Sequence, residues 1–227
     1  MFGIEKLFSK EKSEKVSTES VTEEVTVGQA LEESQERVNK LLDDPSIVGY
    51  LTRREQFITF KALTEIGIDF SKDSVLDVGC GIGDLYAFIY EIKEIDKPDY
   101  LGIDYNPNMI NLAKEKYPLI NDKFESIDLL DYDSTKKKDW IIASNAFNIK
   151  MQDNMDLYVT TCIDKMYECC NKGIAFNLIG TYYEDELVAE AHKVSVPEIV
   201  NYCLNKYKKI VLRTDYLNDE FLIYCYR

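Results

Sequence analysis

A run of glycines and three carboxylates are the residues of this chain whose spacing could do chemistry. Asp77-Val78-Gly79-Cys80-Gly81-Ile82-Gly83-Asp84 lies between an apolar run, SVLDV, and a helical pattern. Glycines so placed let the backbone turn sharply and approach a ligand with no Cβ in between, beneath the positive end of the following helix. A dinucleotide-binding loop spaces its glycines G-x-G-x-x-G. Here the spacing is G-x-G-x-G, and Asp84 stands where the last glycine would fall. Asp77, just ahead of the first glycine, would repel a pyrophosphate and favours a zwitterionic amino-acid ligand carrying a sulfonium. Asp104 closes the next apolar run, YLGID, where a carboxylate can accept from both hydroxyls of a ribose. Capping the helix that opens at Pro107 is its other possible use, but Asn106 already serves there. Asp128 follows FESI. Its carboxylate can accept from an adenine amino group while the backbone of Leu129 reads the ring, or it can simply cap a loop.

These residues need strands to carry them and helices to cover the strands. The pattern predicts strands over Ser74–Val78, Tyr100–Ile103, Phe124–Ile127, Trp140–Ser144 and Ile174–Leu178. Helices are predicted over Leu85–Ile92, Asn108–Lys116, Met155–Cys169 and Pro197–Tyr207. Such alternation calls for a mostly parallel, doubly wound α/β sheet covered on both faces. The runs Lys209–Arg213 and Phe221–Tyr226 flank the turn-like YLNDE, so they form a hairpin and the last strand runs antiparallel. Ahead of the sheet, a helix starting at Thr52 with Glu55 three residues on is expected to bury Phe57, Phe60, Leu63 and Ile66 before Gly67. Thr26 and Gln29 look like a capping box, which gives an N-terminal helix over 26–45 that ends at Pro45. SKEKSEKVSTESVTEE cannot bury enough apolar surface to offset its ordering entropy, so 1–25 reads as a mobile charged tail. Its first residues, MFGIEKLF, could dock on a protein partner. The remainder, 46–227, forms the main domain.

Acidic side chains number 41 against 27 basic ones, for a formal charge of −14. That balance argues against binding duplex nucleic acid, where phosphate neutralisation supplies much of the affinity. No apolar run approaches the roughly 20 residues that span a bilayer, and no signal-peptide core is present, so a cytoplasmic location with no membrane association is expected. Cys80, Cys162, Cys169, Cys170, Cys203 and Cys225 include no C-x-x-C pair, and the single histidine is His192. No metal site is expected; the thiols read as small buried hydrophobes.

VLDVGCGIGDLYAFI, YLGIDYNPNMINLAKEKYP and FESIDLLDYD together resemble the successive cofactor motifs of class I S-adenosylmethionine-dependent methyltransferases. The resemblance runs from about Ser46 to Arg227. It is nearest to small microbial and phage-type members of unassigned substrate, whose fourth strand ends Ser-Gly-x-Phe-Asn and whose tails read like AFNLIG and RTDYLNDEFLIYCYR. It implies a seven-stranded sheet ordered 3-2-1-4-5-7-6 with strand 7 antiparallel. It also implies S-adenosyl-L-methionine as cofactor, held by Asp77, Gly79, Cys80, Gly81 and Gly83, with Asp104 on the ribose, Tyr105 against one adenine face, and Asp128 and Leu129 on the adenine edge. Asn145 stands where those relatives carry Gly, and Thr181–Val196 is unlike theirs. The N/D-P-P-Y motif of base-amino methyltransferases is absent.

Displacement at a sulfonium needs alignment and exclusion of water more than a base, because the leaving thioether takes no proton. Asn145, Asn148 and His192 are the candidate catalytic residues, with Phe147 beside them and Thr181–Tyr183 as the facing wall. An amide there can orient a hydroxyl or amine without ionising, and His192 has the one unperturbed pKa near neutrality. Asn145 could instead turn the chain at positive φ, and His192 could be an exposed residue of EAHK. The acceptor is expected to be a small molecule or a protein. A cofactor-binding scaffold attached through the N-terminal arm is the alternative.

Overall fold

A computed structural model describes residues 44–92, 94–95, 97–149, 154–183 and 191–227. The expected tail over 1–25 lies outside the described residues, as does the expected helix over 26–45 up to residue 43. Asp44 caps a short 3-10 turn, Pro45–Val48, by accepting from the Ser46 N–H at 2.9 Å. Helix α1 (Arg53–Thr64) then opens on a reciprocal cap. Thr52 Oγ1 accepts from the Glu55 N–H and Glu55 Oε2 from the Thr52 N–H, both at 3.1 Å.

The sheet comprises β1 (Ser74–Val78), β2 (Asp99–Asp104), β3 (Phe124–Ser126), β4 (Lys138–Ala143), β5 (Cys170–Gly180), β6 (Lys193–Val194), β7 (Ile210–Arg213) and β8 (Glu220–Tyr226). Its order is β3-β2-β1-β4-β5-β8-β7, with β6 beside the end of β5. The pairs from β3 across to β5 are parallel, whereas β8 runs antiparallel to both β5 and β7. The seven strands of that path have the expected order and the expected antiparallel hairpin strand. The two-residue β6 is an addition within the segment that departs from the resembling family.

Helices α2 (Asp84–Ala87, widening into a π-type turn over Phe88–Ile92), α3 (Pro107–Lys116), α4 (Met155–Cys169) and α5 (Val196–Lys206) join the strands. Because side chains alternate along a strand, each strand feeds two cores. Val75, Tyr100, Ile142, Ala175 and Leu222 pack under α1, α2 and α3, while Leu76, Ile103, Ile141, Phe176 and Phe221 pack against α4 and α5. A fully buried Leu, Ile or Phe contributes about 1.5–3 kcal/mol, so burial on both faces holds the helix layers to the sheet. Cys169 ends α4 and Cys170 begins β5, both fully buried. Among the described residues no helix is long and apolar enough to cross a membrane.

One expected core residue is corrected. Phe57 is 41% exposed, although its ring meets Phe88 edge-on at 5.3 Å. The inward face of α1 carries Gln56 and Thr59 beside Phe60 and Leu63. Those polar side chains are drawn in by buried carboxylates beneath them, Asp84 for Gln56 at 2.8 Å and Glu220 for Thr59 at 3.1 Å. A hydrophobicity pattern cannot register that preference.

Candidate active site

Except for His192, which precedes β6, the candidate residues lie at or just past the carboxyl ends of β1 to β5, where ligands bind in open α/β sheets. The glycine loop leaves β1 with Gly79, Gly81 and Gly83 at positive φ. At Gly79 a side chain would meet Ala146 Cβ at 2.7 Å, so the loop lies directly against the tip of β4. At Gly83 it would strike the Phe124 ring at 2.7 Å. The loop is tied to its neighbour strand by the Gly79 and Cys80 N–H groups, which donate to the Ile103 carbonyl at 2.8 and 3.0 Å.

Asp104 completes that tie. Its carboxylate accepts from the Gly81 N–H at 3.0 Å and from the Asn106 N–H at 2.8 Å, which leaves lone pairs on both oxygens. Burial raises its pKa against the opposing pull of those two N–H groups. Asn106, not Asp104, caps α3, accepting from the Asn108 N–H at 3.0 Å. Asp77 is buried and accepts from the Tyr100 hydroxyl at 2.6 Å. Burial pushes its pKa to about 7, with Tyr100 opposing and Asp104 and Asp84 adding to the rise. Cys80 packs its thiol inside, and burial raises its pKa well above the usual range. Tyr105 exposes half its ring. Asp128 caps the turn Leu129–Asp131 with one oxygen, accepting from the Leu130 N–H at 2.8 Å, and Leu129 is buried under it. The Tyr158 hydroxyl on α4 lies close enough to Asp128 and Tyr105 for both to add to the upward push of burial on its pKa.

The Gly79, Cys80 and Gly81 N–H groups and the Asp104 carboxylate thus tie the glycine loop to the end of β2. The neighbouring Asp84 belongs to a different cluster. Burial alone would raise its pKa, but Lys116 at 2.6 Å, Gln56 and Arg53 at 2.9 Å hold it below the usual carboxylate range. It pins α1, α2 and α3 together, so its role is structural.

The tips of β4 and β5 carry a second polar cluster. Asn145 has φ 55 and is fully engaged. Its N–H donates to Asn177 Oδ1 at 2.8 Å and its Nδ2 to the Gly49 carbonyl at 3.1 Å. Its Oδ1 accepts from Asn177 Nδ2 at 3.0 Å and from Asn148 Nδ2 at 2.5 Å. Phe147 is core, 2% exposed. The His192 ring is only 12% exposed, and its backbone N–H donates to the Asn148 carbonyl at 2.9 Å. Across from them, the Thr181 N–H donates to Val194 at 3.0 Å, and the Tyr182 hydroxyl donates to the Glu220 carbonyl at 3.2 Å.

Sequence reasoning missed three members of this cluster, Asn177, Tyr50 and Glu220. Asn177 is fully buried on β5, and Tyr50 shares a 2.5 Å hydrogen bond with Ser144 at the end of β4. Glu220, 4% exposed, accepts from Thr59 at 3.1 Å and from Tyr216 at 3.2 Å. Burial lifts the Glu220 pKa to about 7, Asp219 adds to the rise, and Asn177, Thr59 and Tyr216 oppose it. A signal was present for two of them: Asn177 interrupts the apolar run IAFNLIG, and Glu220 precedes FLIYCY.

Residues 69–212 match a family model described as a methyltransferase domain. No curated protein is similar enough in sequence to count as a relative. Among solved structures, the magnesium protoporphyrin IX methyltransferase of Synechocystis PCC 6803 with bound SAH aligns at TM-score 0.59 and 12% identity, over 86% of this chain and 94% of that one. The plantazolicin methyltransferase BpumL in complex with SAH aligns at TM-score 0.60 and 13% identity, over 86% and 90%. A SAM-dependent methyltransferase from Aquifex aeolicus aligns at TM-score 0.55 and 20% identity, over 84% and 97%. At these identities the likeness is one of fold.

Proposed function

The chain belongs to the methyltransferase-domain family that its residues 69–212 match, and from that premise we propose that it transfers the methyl group of S-adenosylmethionine to an acceptor held at the tips of β4 and β5. The observation that carries this reading is Asp104, a buried carboxylate that binds the Gly81 and Asn106 N–H groups and keeps lone pairs for a ribose. Left-handed glycines pressed against Ala146 and Phe124 supply a cradle that a Cβ would fill. In this reading Gly79, Cys80 and Gly81 hold the amino-acid end through their backbone. Asp77 supports the loop from below, Tyr105 lies on the adenine face, and Asp128 takes the adenine amino group with its free oxygen while Leu129 reads the ring.

When bound, S-adenosylmethionine supplies an electrophilic methyl on a sulfonium, and the carbon–sulfur pair leaves with sulfur as a neutral thioether. This chain's part is to align the acceptor and exclude water. The contact of Gly79 with Ala146 brings the loop beside Asn145 and Asn148, so cofactor and acceptor residues share one pocket edge. The acceptor is a small molecule or a protein, in keeping with a net charge of −14 that disfavours duplex nucleic acid.

Calorimetry should give one site for S-adenosylhomocysteine. A screen of metabolites and lysate proteins with methyl-labelled S-adenosylmethionine should show transfer that is lost in Gly79→Val. Tight NADH binding without a response to S-adenosylhomocysteine would sink the reading. Binding without transfer to any acceptor would leave a scaffold.

A further inference from the structure

Most of the buried carboxyls have an evident counterpart. Asp73 is paired with Lys172 and Asp84 with Lys116 and Arg53, while Asp104 accepts from two backbone N–H groups. Asp77 and Glu220 differ. Among the described residues neither is paired with a cation, and both are met by neutral groups: Asp77 by the Tyr100 hydroxyl, Glu220 by Thr59, Tyr216 and Asn177. A buried carboxylate without a counter-charge is costly, so such a group keeps its proton until a positive charge arrives.

Both acids lie at the ligand edge of the sheet. Asp77 is the penultimate residue of β1, just ahead of the glycine loop. Because β8 runs antiparallel to β5, its first residue, Glu220, pairs with Ile179 at the carboxyl end of β5. Tyr50 is within electrostatic reach of both. It is buried, its hydroxyl is bonded to Ser144 just past β4, and burial, then Glu220 and Asp77, push its pKa up against the pull of Ser144 and Thr59. The groups facing Glu220 are Thr59 from α1, Asn177 from β5, Tyr50, and Tyr216 and Asp219 from the turn before β8. Those facing Asp77 are Tyr100 and Asp104 from β2, Asp84 from α2, and Tyr50. Every ionisable group among them is a carboxyl or a phenol, so none can supply the missing positive charge.

Resting on the methyl-transfer reading, we infer that Glu220, together with Asp77, sets a preference for the sulfonium cofactor over its spent thioether, by ionising when the sulfonium binds and regaining a proton once the methyl has gone. Binding of the sulfonium expels the carboxyl proton to solvent. On transfer the carbon–sulfur electron pair stays with sulfur, and the cofactor becomes a neutral thioether. The carboxylate has then lost its counter-charge and takes a proton back from solvent. Glu220 has no part in the transfer itself; it is a specificity-determining residue that acts through its charge. In a poorly screened interior that charge still counts without direct contact. The spent form is held less firmly than the fresh one, which favours their exchange.

The test is calorimetry on the full chain with S-adenosylmethionine and with S-adenosylhomocysteine from pH 5.5 to pH 7. The preference for the sulfonium form should rise about five-fold more in the wild type than in Glu220→Gln, as expected if the sulfonium favours the ionised carboxyl about ten-fold. Asp77 and the amino group of the ligand titrate in both proteins and cancel in that difference. At pH 6.5, titrations in buffers of unlike ionisation enthalpy should count about half a proton more released by the wild type than by Glu220→Gln with the sulfonium form, and no such excess with the thioether. Tyr216→Phe removes a hydroxyl that opposes the rise of the Glu220 pKa, so it should carry the midpoint to higher pH, and it tests the same point if Glu220→Gln fails to fold. Equal slopes in wild type and Glu220→Gln overturn the inference, as does a midpoint that Tyr216→Phe leaves in place. Failure of the wild type to bind either form at any pH would instead remove the methyl-transfer reading.

Discussion

The glycine-loop edge, with Asp104 and Asp128, and the proposed acceptor edge at the tips of β4 and β5 both hold polar groups away from solvent, but they are wired differently. On the cofactor side the donors to Asp104 and Asp128 are backbone N–H groups, most of them two residues along the chain. At the tips of β4 and β5 side chains reach distant segments: Asn145 Nδ2 donates to the Gly49 carbonyl across 96 positions, and Thr59 to Glu220 across 161. Backbone donors exist whatever the neighbouring sequence, so the first arrangement is fixed once the strand, loop and helix form. Side-chain donors must be delivered by correct packing of α1, β4, β5 and β8. The cradle is therefore bound to local geometry, whereas the cluster at the tips of β4 and β5 depends on tertiary packing.

The sharpest way to break that contrast is Asp104→Ala. It removes an acceptor for a ribose and leaves two backbone N–H groups unpaired. With hydrogen bonds to a charged group worth about 1.5–3 kcal/mol each, S-adenosylhomocysteine affinity should fall by about 3–5 kcal/mol in calorimetry. A loss under about 1 kcal/mol would mean that the cradle does not depend on this carboxylate.

Glu220→Gln probes the acceptor side through pH. The folded-state pKa of Glu220 lies at about 7, above its ordinary 4.5. The folded protein therefore holds a proton that the unfolded chain has given up between those values, and stability falls as pH rises through that window. Gln carries no such proton. Relative to wild type the variant should gain roughly 2–3 kcal/mol in urea unfolding between pH 4.5 and pH 8, at about 1.4 kcal/mol per pKa unit. Asp77, also raised to about 7, adds the same slope to both proteins and cancels in the difference. A pH-independent difference would show that Glu220 is already ionised in the folded state across this range.

Asp128→Asn should have the smallest effect. Asn keeps the cap to the Leu130 N–H and an acceptor toward an adenine amino group, so cofactor affinity should change by less than about 1 kcal/mol. A ten-fold loss would mean that its charge, and not its shape, is what the site uses.

The legible and illegible parts of the molecule divide along the same line. The α4 limits Met155–Cys169, the reciprocal cap of Thr52 and Glu55, Asn106 as the cap of α3 and the closing hairpin were all readable, because each rests on periodicity or on residues a few positions apart. Phe57 was misplaced and Asn177, Glu220 and Tyr50 went unnoticed, because burial of a polar residue depends on a partner that only folding brings near.

By itself the sequence determined a doubly wound sheet and the strand tips that carry the glycine loop and Asp104. These follow from side-chain alternation, helical spacing and the φ freedom of glycine, all of them local. Only the tertiary structure decided which way each amide at the β4 tip is turned. Asn145 Oδ1 accepts from Asn148, three residues along the chain, and from Asn177 on the neighbouring strand β5, 32 residues away. Hydrogen bonding in a dry interior allows one arrangement of those amides, and that arrangement leaves Asn148 Oδ1 open.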